Sequence, residues 1–418
     1  MGARGLSHVL RLPRAAGSQG GAADVTTVWE SGQAGPAAHA LVIGVGAYDW
    51  FPGGTRHVKG RKGDRLSKEF TQLASPPASA RALCEGLLEG FRNLPGGMSL
   101  GSLEAVVSAR EEMVLKGDDG AEVPIGPATL AGVEEAFDAW YDRCNGHPDN
   151  VALFFFCGHG VQVGRGSQIL LLQDTGENVR DYFRTAVDLR VLVEGMEKNN
   201  ARVQCFFVDA CRFAPEQLYE EGDVRATHLL TPPRRPRPRD RVVVHSTLPG
   251  TKAHGPLGGV TRFTEAVLRA LRTPDSDSAG DAWAVTTETV GKFVRELMAW
   301  PGLRPDGIVL PKQHCDFSSL STSTGGVLFS FDEAPSVPFH FDTSPGESLS
   351  DAEWALTDQE HQKLYTSRPP MPEPWIGHGP VGPVRVEVSF ADGRFRGRGD
   401  DVWMQAPCRA RTVEVQEL

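Results

Sequence analysis

The chain has 418 residues, 40% of them hydrophobic, and a formal net charge of −10, which is the composition of a soluble globular protein. The negative charge argues against nucleic acid as the main partner. No apolar run reaches the roughly 18 residues of a membrane span, and the N-terminus lacks the apolar core of a secretory signal. Seven cysteines without paired spacing predict reduced thiols and a cytoplasmic location.

Strands and helices are predicted to alternate along the first half of the chain. Residues 1–38 are expected to form a flexible tail. The run HALVIGVG that follows is apolar enough for the centre of a parallel sheet, which is covered on both faces. The further predicted elements are a helix that begins at Pro76, a strand at 103–108, a helix at 129–144, a strand at 151–157, a hairpin arm at 168–172, a helix at 187–198 and a strand at 203–208.

An Arg- and Pro-rich segment at 231–241, TPPRRPRPRDR, separates this half from a second one and is predicted to be an exposed linker. Residues 333–418 are Pro-rich and then strand-like, which predicts a small β-rich C-terminal extension. The alternation predicts an α/β fold with a mostly parallel six-stranded sheet and helices on both faces. The elements predicted after the linker are a strand at 242–246, helices at 263–271 and 286–300, a sixth strand at 327–331, and C-terminal strands at 384–390 and 411–415.

Two apolar strands end in chemically useful residues. VALFFFCGHG ends at His159 and Gly160, and VQCFFVDACR ends at Cys211. Sites in open parallel sheets gather beyond the carboxyl ends of the strands. A thiolate can attack a carbonyl there, while an imidazole moves the proton and backbone amides stabilise the oxyanion. The two strand ends therefore predict a Cys-His nucleophilic site.

Residues 39–331 resemble the caspase and metacaspase cysteine peptidases, including their bacterial members, in HALVIGVGAY, FFFCGHG, FFVDACR and RFTEAVLRAL. The resemblance implies a three-layer α/β/α sandwich, with residues 39–230 and 242–332 as its large- and small-subunit halves. It also implies that His159 is the general base and acid, that Cys211 is the nucleophile, and that the amides of Gly160 and Cys211 form the oxyanion hole.

Asp209 stands where caspases carry Gln and where metacaspases and their Arg- or Lys-cleaving relatives carry Asp. A carboxylate at the pocket floor pairs with a cationic side chain, which predicts cleavage after Arg first and Lys second. The second acidic residue of metacaspases is missing from PPASA, and Asp49 is the candidate to replace it. A turn-capping role is the alternative for Asp209. Phe213 replaces the family's Gly after Cys-Arg.

The Arg-rich linker is a candidate site of self-cleavage. Arg234, Arg239 and Arg241 are the candidate residues, because the other two arginines precede Pro. The alternative is a linker that only aids solubility. The resemblance further implies protein or peptide substrates and a latent enzyme that is activated by an upstream protease or signalling protein. It also implies a role in bacterial stress, cell-death or antiphage programmes.

No metal or other cofactor is predicted. Cys157-x-His159 lacks the paired spacing of a zinc site, and Gly44-x-Gly46 lacks the third glycine of a dinucleotide site. Calcium at Asp118-Asp119 is an alternative to a hairpin turn there. The competing function is a caspase-like scaffold or binding module with a vestigial dyad, whose C-terminal region recruits partners.

Overall fold

The computed structural model describes most of the chain. The described residues are 26–32, 35–61, 64–94, 97–116, 122–164, 166–216, 224–276, 282–303, 313–321, 325–367, 373–391 and 393–418. Asp118 and Asp119, the calcium alternative, lie outside them. So do residues 1–25, the larger part of the predicted tail.

Strands and helices alternate through the described residues between 26 and 331. The strands are β1 (Thr27–Glu30), β2 (Ala38–Val45), β3 (Leu100–Ser108), β4 (Val114–Lys116), β5 (Glu122–Pro124), β6 (Val151–Cys157), β7 (Gly160–Val163), β8 (Ser167–Leu170), β9 (Val187–Asp188), β10 (Val203–Asp209), β11 (Asp240–His245), β12 (Asp275–Ser276), β13 (Trp283–Thr286), β14 (Asp316–Leu320) and β15 (Val327–Phe331). The helices are α1 (Asp64–Ser67), α2 (Ser75–Phe91), α3 (Leu130–Asn145), α4 (Leu189–Gly195), α5 (Arg262–Leu271) and α6 (Thr287–Ala299).

A seven-stranded sheet in the order β1-β3-β2-β6-β10-β11-β14 forms the centre of this region. Its five inner strands are parallel, and the edge strands β1 and β14 are antiparallel to their neighbours. Every residue of β2, β3, β6 and β10 is buried, as expected of strands covered on both faces. The predicted α/β fold with a mostly parallel sheet is confirmed, with seven strands instead of six.

Helices cover both faces of the sheet. The pleat directs successive side chains to opposite faces, so Phe155 and Phe207 join the hydrophobic core of α2, α5 and α6. Phe154 and Phe206 join a separate core with α3 and α4. These two cores make the three-layer sandwich.

Two predictions at the sheet edges are wrong. Residues 27–30 were expected in a flexible tail, but they form β1, whose Thr27 hydroxyl donates to the buried carboxylate of Glu104 (2.8 Å). The expected sixth strand at 327–331 exists as β15 but pairs with β13 in a separate small sheet. The edge position belongs to β14, whose sequence DFSSL is half-buried or exposed and so gives no apolar signal.

The C-terminal region is β-rich, as predicted, and encloses its own hydrophobic core, which includes Phe339, Trp354 and Met404. The strands of the extension are β16 (Val337–Ser344), β17 (Ala352–Thr357), β18 (Lys363–Thr366), β19 (Trp375–Gly379), β20 (Gly382–Phe390), β21 (Phe395–Arg396), β22 (Arg398–Met404), β23 (Arg409–Glu414) and β24 (Gln416–Glu417). Its two larger sheets have the orders β19-β16-β23 and β18-β17-β20-β22. Ala406 packs against the α2/α5/α6 core, which joins the extension to the main domain.

Candidate active site

The ends of β6 and β10 lie side by side. Cys157 pairs with Asp209 in the parallel register, so the residues that follow each strand leave the sheet at the same edge. His159 and Cys211 both line one cavity of about 290 Å³, together with Asp209. The structure therefore brings together the three residues on which the sequence-based site depends.

Hydrogen bonds join the two segments beyond the strands. The amide of Gly158 donates to the carbonyl of Asp209 (3.1 Å), and the Gln168 side-chain Nε2 donates to the carbonyl of Cys211 (3.0 Å). At Gly160 an added Cβ would lie 2.7 Å from the carbonyl oxygen of Cys211 and 2.9 Å from the Ala210 side chain. Only glycine lets the backbone beside His159 approach the segment of Cys211 this closely.

The carbonyl of Thr71 fixes the His159 imidazole. His159 Nε2 lies 2.7 Å from this oxygen. A carbonyl oxygen only accepts hydrogen bonds, so Nε2 carries the proton and Nδ1 is the basic nitrogen. Burial lowers the pKa of His159 to about 4, which leaves the ring neutral at pH 7. The imidazole is thus held as a base.

Aromatic side chains surround the same imidazole. The rings of Tyr48 and Phe70 lie 4.9 Å and 5.2 Å from that of His159, centroid to centroid. The Tyr48 hydroxyl also accepts the backbone N–H of His159 (2.7 Å). Sequence reasoning missed Tyr48, although it follows β2 at the sheet edge that carries His159 and so could have been considered.

The Gln72 side chain clamps the segment that presents the Thr71 carbonyl. Its Oε1 accepts the backbone N–H of Tyr48 (2.8 Å), and its Nε2 donates to the carbonyls of Tyr48 (3.0 Å) and Pro52 (3.2 Å). The clamp ties Thr71 to the loop after β2. Neither Thr71 nor Gln72 was predicted from the sequence, because any residue type can supply a backbone carbonyl to the histidine.

The Cys211 thiol lies below the loop between β11 and α5. The amide of Ala253 in that loop donates to Cys211 Sγ (3.2 Å). Burial raises the pKa of Cys211, so the sulfur is a thiol at neutral pH until a base removes its proton. Phe213 is bound to the same loop, since the ammonium of Lys252 lies 4.8 Å from its ring centroid.

Asp209 lies in the wall of the cavity and is only 4% exposed. Its Oδ2 accepts the hydroxyl of Thr261 (2.5 Å) and is 3.7 Å from the sulfur of Cys157. Burial raises the pKa of Asp209. No Lys or Arg among the described residues forms an ion pair with this carboxylate. A cation that entered the cavity would be its first positively charged partner.

Asp49 does not line this cavity. Its carboxylate accepts the Thr55 hydroxyl (2.8 Å) and lies 3.4 Å from the Gln173 side-chain nitrogen and 3.9 Å from Arg56. These contacts hold Asp49 against Thr55, Gln173 and Arg56. The structure therefore does not place Asp49 in the cavity of His159, Cys211 and Asp209, where it was expected from the sequence to supplement the pocket.

The three candidate arginines of the linker differ in exposure and in secondary structure. Arg234 is exposed and lies outside regular structure. Arg239 is half-buried and donates from Nη2 to the carbonyl of Asn199 (2.6 Å). Arg241 belongs to β11, where it pairs with Gln204 and is not part of an exposed linker. Arg234 is thus the candidate whose backbone a peptidase can reach.

The described residues contain no group of three or more His, Cys, Asp and Glu side chains placed to hold a metal ion. Within the same part of the chain, no helix is long and apolar enough to cross a membrane.

Comparison with known proteins gives one family match, two relatives and one solved structure. The caspase-domain peptidase family matches residues 37–302. An uncharacterized protein of Sinorhizobium fredii is 26% identical over 54% of this chain and 69% of its own length. A probable protease of a Desulfuromonadales bacterium is 28% identical over 35% of this chain, and the match spans only 18% of that protein. Among solved structures, caspase-1 of Spodoptera frugiperda superposes with a TM-score of 0.40 and 12% identity, over 72% of this chain and 92% of its own.

Proposed function

The chain belongs to the caspase-domain family of peptidases, and we propose that it is a cysteine endopeptidase that cleaves after Arg, with Lys second. The observation that carries the proposal is the cavity at the ends of β6 and β10, which His159, Cys211 and Asp209 line together. It supplies a base, a nucleophile and a buried carboxylate within one binding space.

In the proposed mechanism, His159 Nδ1 removes the proton of the Cys211 thiol as the sulfur attacks the substrate carbonyl carbon. The neutral imidazole and the raised pKa of the thiol favour general-base catalysis over a preformed ion pair. The amides of Gly160 and Cys211 stabilise the oxyanion. The imidazolium then protonates the leaving amine, and water hydrolyses the thioester by the reverse proton transfers.

Specificity is assigned to Asp209. A buried carboxylate without a cationic partner is costly, and an Arg side chain of the substrate offsets that cost by a bidentate contact. Thr261 supports this role, because its hydroxyl holds Oδ2 while its side chain also caps the first turn of α5.

The enzyme is further proposed to be latent, with Arg234 as the bond cut during self-processing. Exposed segments without regular structure are preferred sites of proteolytic cleavage. Arg234 is exposed within such a segment, whereas Arg239 in the same segment is half-buried and Arg241 belongs to β11. Arg234→Gln is expected to prevent the cut, whereas Arg241→Gln, in β11, is expected to leave it unchanged.

Hydrolysis of fluorogenic peptides that end in Arg, Lys or Asp tests the function. The full chain is compared with a form in which a site-specific protease sequence, inserted between residues 234 and 235, has been cut. Activity on Arg peptides that is absent in Cys211→Ala is the expected result. Absence of turnover in both forms would favour the vestigial scaffold.

A further inference from the structure

A second cavity, of about 360 Å³, lies between α4, β8, the inner strand β11 and the edge strand β14. It shares no lining residue with the catalytic cavity. One part of its wall is apolar, and the rest carries three arginines, a histidine and two glutamines. The apolar residues are Leu189, Val193, Val243 and Leu320, and the polar residues include Arg190, Arg212, Arg241, His245, Gln162 and Gln168. Ligand pockets in proteins have this mixture of apolar wall and few polar groups.

The arginines give the cavity an excess of hydrogen-bond donors, although each already pairs with one carboxylate: Arg190 with Glu194, Arg212 with Asp316 and Arg241 with Glu197. The side chains of Arg190 and Arg241 hydrogen-bond to other described residues only through Nη1. Arg190 Nη1 lies 3.0 Å from Glu194, and Arg241 Nη1 lies 3.2 Å from the carbonyl of Val193 and 3.4 Å from Glu197. A guanidinium has five N–H donors, so each retains donors for a ligand. Glu194 is the one carboxylate in the lining. The chemistry suits phosphate or carboxylate oxygens.

Two buried polar atoms of the lining residues have no hydrogen-bond partner among the described residues: Gln168 Oε1 and His245 Nδ1. The donation from Gln168 Nε2 to Cys211 fixes the orientation of the amide, so Oε1 is an acceptor that requires a donor. Burial lowers the pKa of His245 to about 4, so this ring is neutral and does not add charge. A ligand hydroxyl group would satisfy the Gln168 oxygen.

We propose that this cavity binds a small phosphate ester with free hydroxyl groups, the class that includes nucleotides and sugar phosphates, and that binding raises peptidase activity. The phosphate contacts Arg190 and Arg241, a hydroxyl donates to Gln168 Oε1, and the body of the ligand lies on the apolar wall. No bond is formed or broken in this step.

The cavity is connected to the nucleophile by two short links. Gln168 Oε1 accepts the ligand hydroxyl, and Nε2 of the same amide donates to the Cys211 carbonyl (3.0 Å). Arg212, the next residue after Cys211, lines the cavity and donates its backbone N–H to the carbonyl of Thr251 (3.0 Å), in the loop that covers the thiol. A bound ligand therefore stabilises the segment that holds the nucleophile. The activity half of the proposal rests on the proposed function, and the binding half does not.

Calorimetry on the full-length Cys211→Ala chain tests binding without any need for catalysis. The probes are AMP, glucose 6-phosphate, inorganic phosphate and adenosine, which separate a nucleotide from a sugar phosphate and an ester from free phosphate. At least one ester is expected to bind about tenfold or more tightly than phosphate or adenosine. Arg190→Gln and Arg241→Gln are each expected to weaken it about tenfold. Arg202→Gln, an exposed arginine outside the cavity that pairs with Asp149, is the matched control and should bind as the parent does.

Failure of both esters to bind, or binding that survives both substitutions, would overturn the proposed ligand site.

In the wild-type enzyme the bound ester should raise kcat/KM on the Arg peptide severalfold. Binding without a change in rate would overturn the coupling between the cavity and the active site. If the ester binds as expected and no form of the protein cleaves peptides, the site stands and the proposed function fails.

Discussion

Replacing the Asp209 carboxylate by a neutral amide tests how the cavity selects its substrate. Asp209→Asn keeps the shape of the side chain and removes its charge. A substrate Arg would then be buried without a counter-charge, which costs about 3–5 kcal/mol. We therefore expect kcat/KM for an Arg-ended peptide to fall by roughly 150- to 5,000-fold. Because the carboxylate is 4% exposed, water can replace little of the lost interaction.

The assay compares two fluorogenic peptides that differ only in their last residue, Arg or citrulline. Citrulline has nearly the shape of arginine without the charge, so the wild-type enzyme should strongly prefer Arg, and Asp209→Asn should nearly abolish the preference. Asp49→Asn is the matched control, since Asp49 lies outside the cavity and should leave the preference unchanged. An equal loss on both peptides would refute the reasoning, because Asp209 would then act on the fold or the chemistry and not on charge.

Three further predictions concern the catalytic geometry. Tyr48→Phe keeps the ring beside His159 but leaves the His159 backbone N–H without its acceptor. We expect steady-state kinetics to show a fall in kcat of roughly 10- to 100-fold with little change in KM. Gly160→Ala places a Cβ 2.7 Å from the Cys211 carbonyl and should lower kcat/KM by at least about 100-fold, while circular dichroism shows an intact fold. His159 must be neutral to accept a proton, so activity should be lost as pH falls through about 4. A kcat/KM profile whose acid limb lies near 6.5, the ordinary pKa of histidine, would contradict the burial of the ring.

The central strands could be predicted because burial on both faces requires uninterrupted apolar runs, as in residues 151–157 and 203–208. Their parallel pairing then places His159 and Cys211 at one sheet edge, so the meeting of two residues far apart in sequence follows from topology. The placement of His159 and Cys211 at one cavity was therefore accessible from sequence, together with that of Asp209, two positions before Cys211.

Other parts of the site depend on contacts that sequence patterns do not encode. The Thr71 carbonyl is a backbone group, and the Gln72 clamp depends on where a loop folds back. Edge strand β14 has exposed positions and so lacks apolar periodicity. Asp49 shows the converse, since an acidic residue that follows a neighbouring strand can be held by other contacts outside the cavity.

The central claim is that Cys211 is an activated nucleophile in a pocket that accepts arginine. Its most direct test is covalent labelling with a peptidyl-arginyl acyloxymethyl ketone, followed by intact mass measurement and peptide mapping, on the full chain and on the form cut after Arg234. One adduct on Cys211 is expected, with none in Cys211→Ala or His159→Ala and much slower labelling by the aspartyl analogue. No adduct in either form, or an adduct on another cysteine, would contradict the claim.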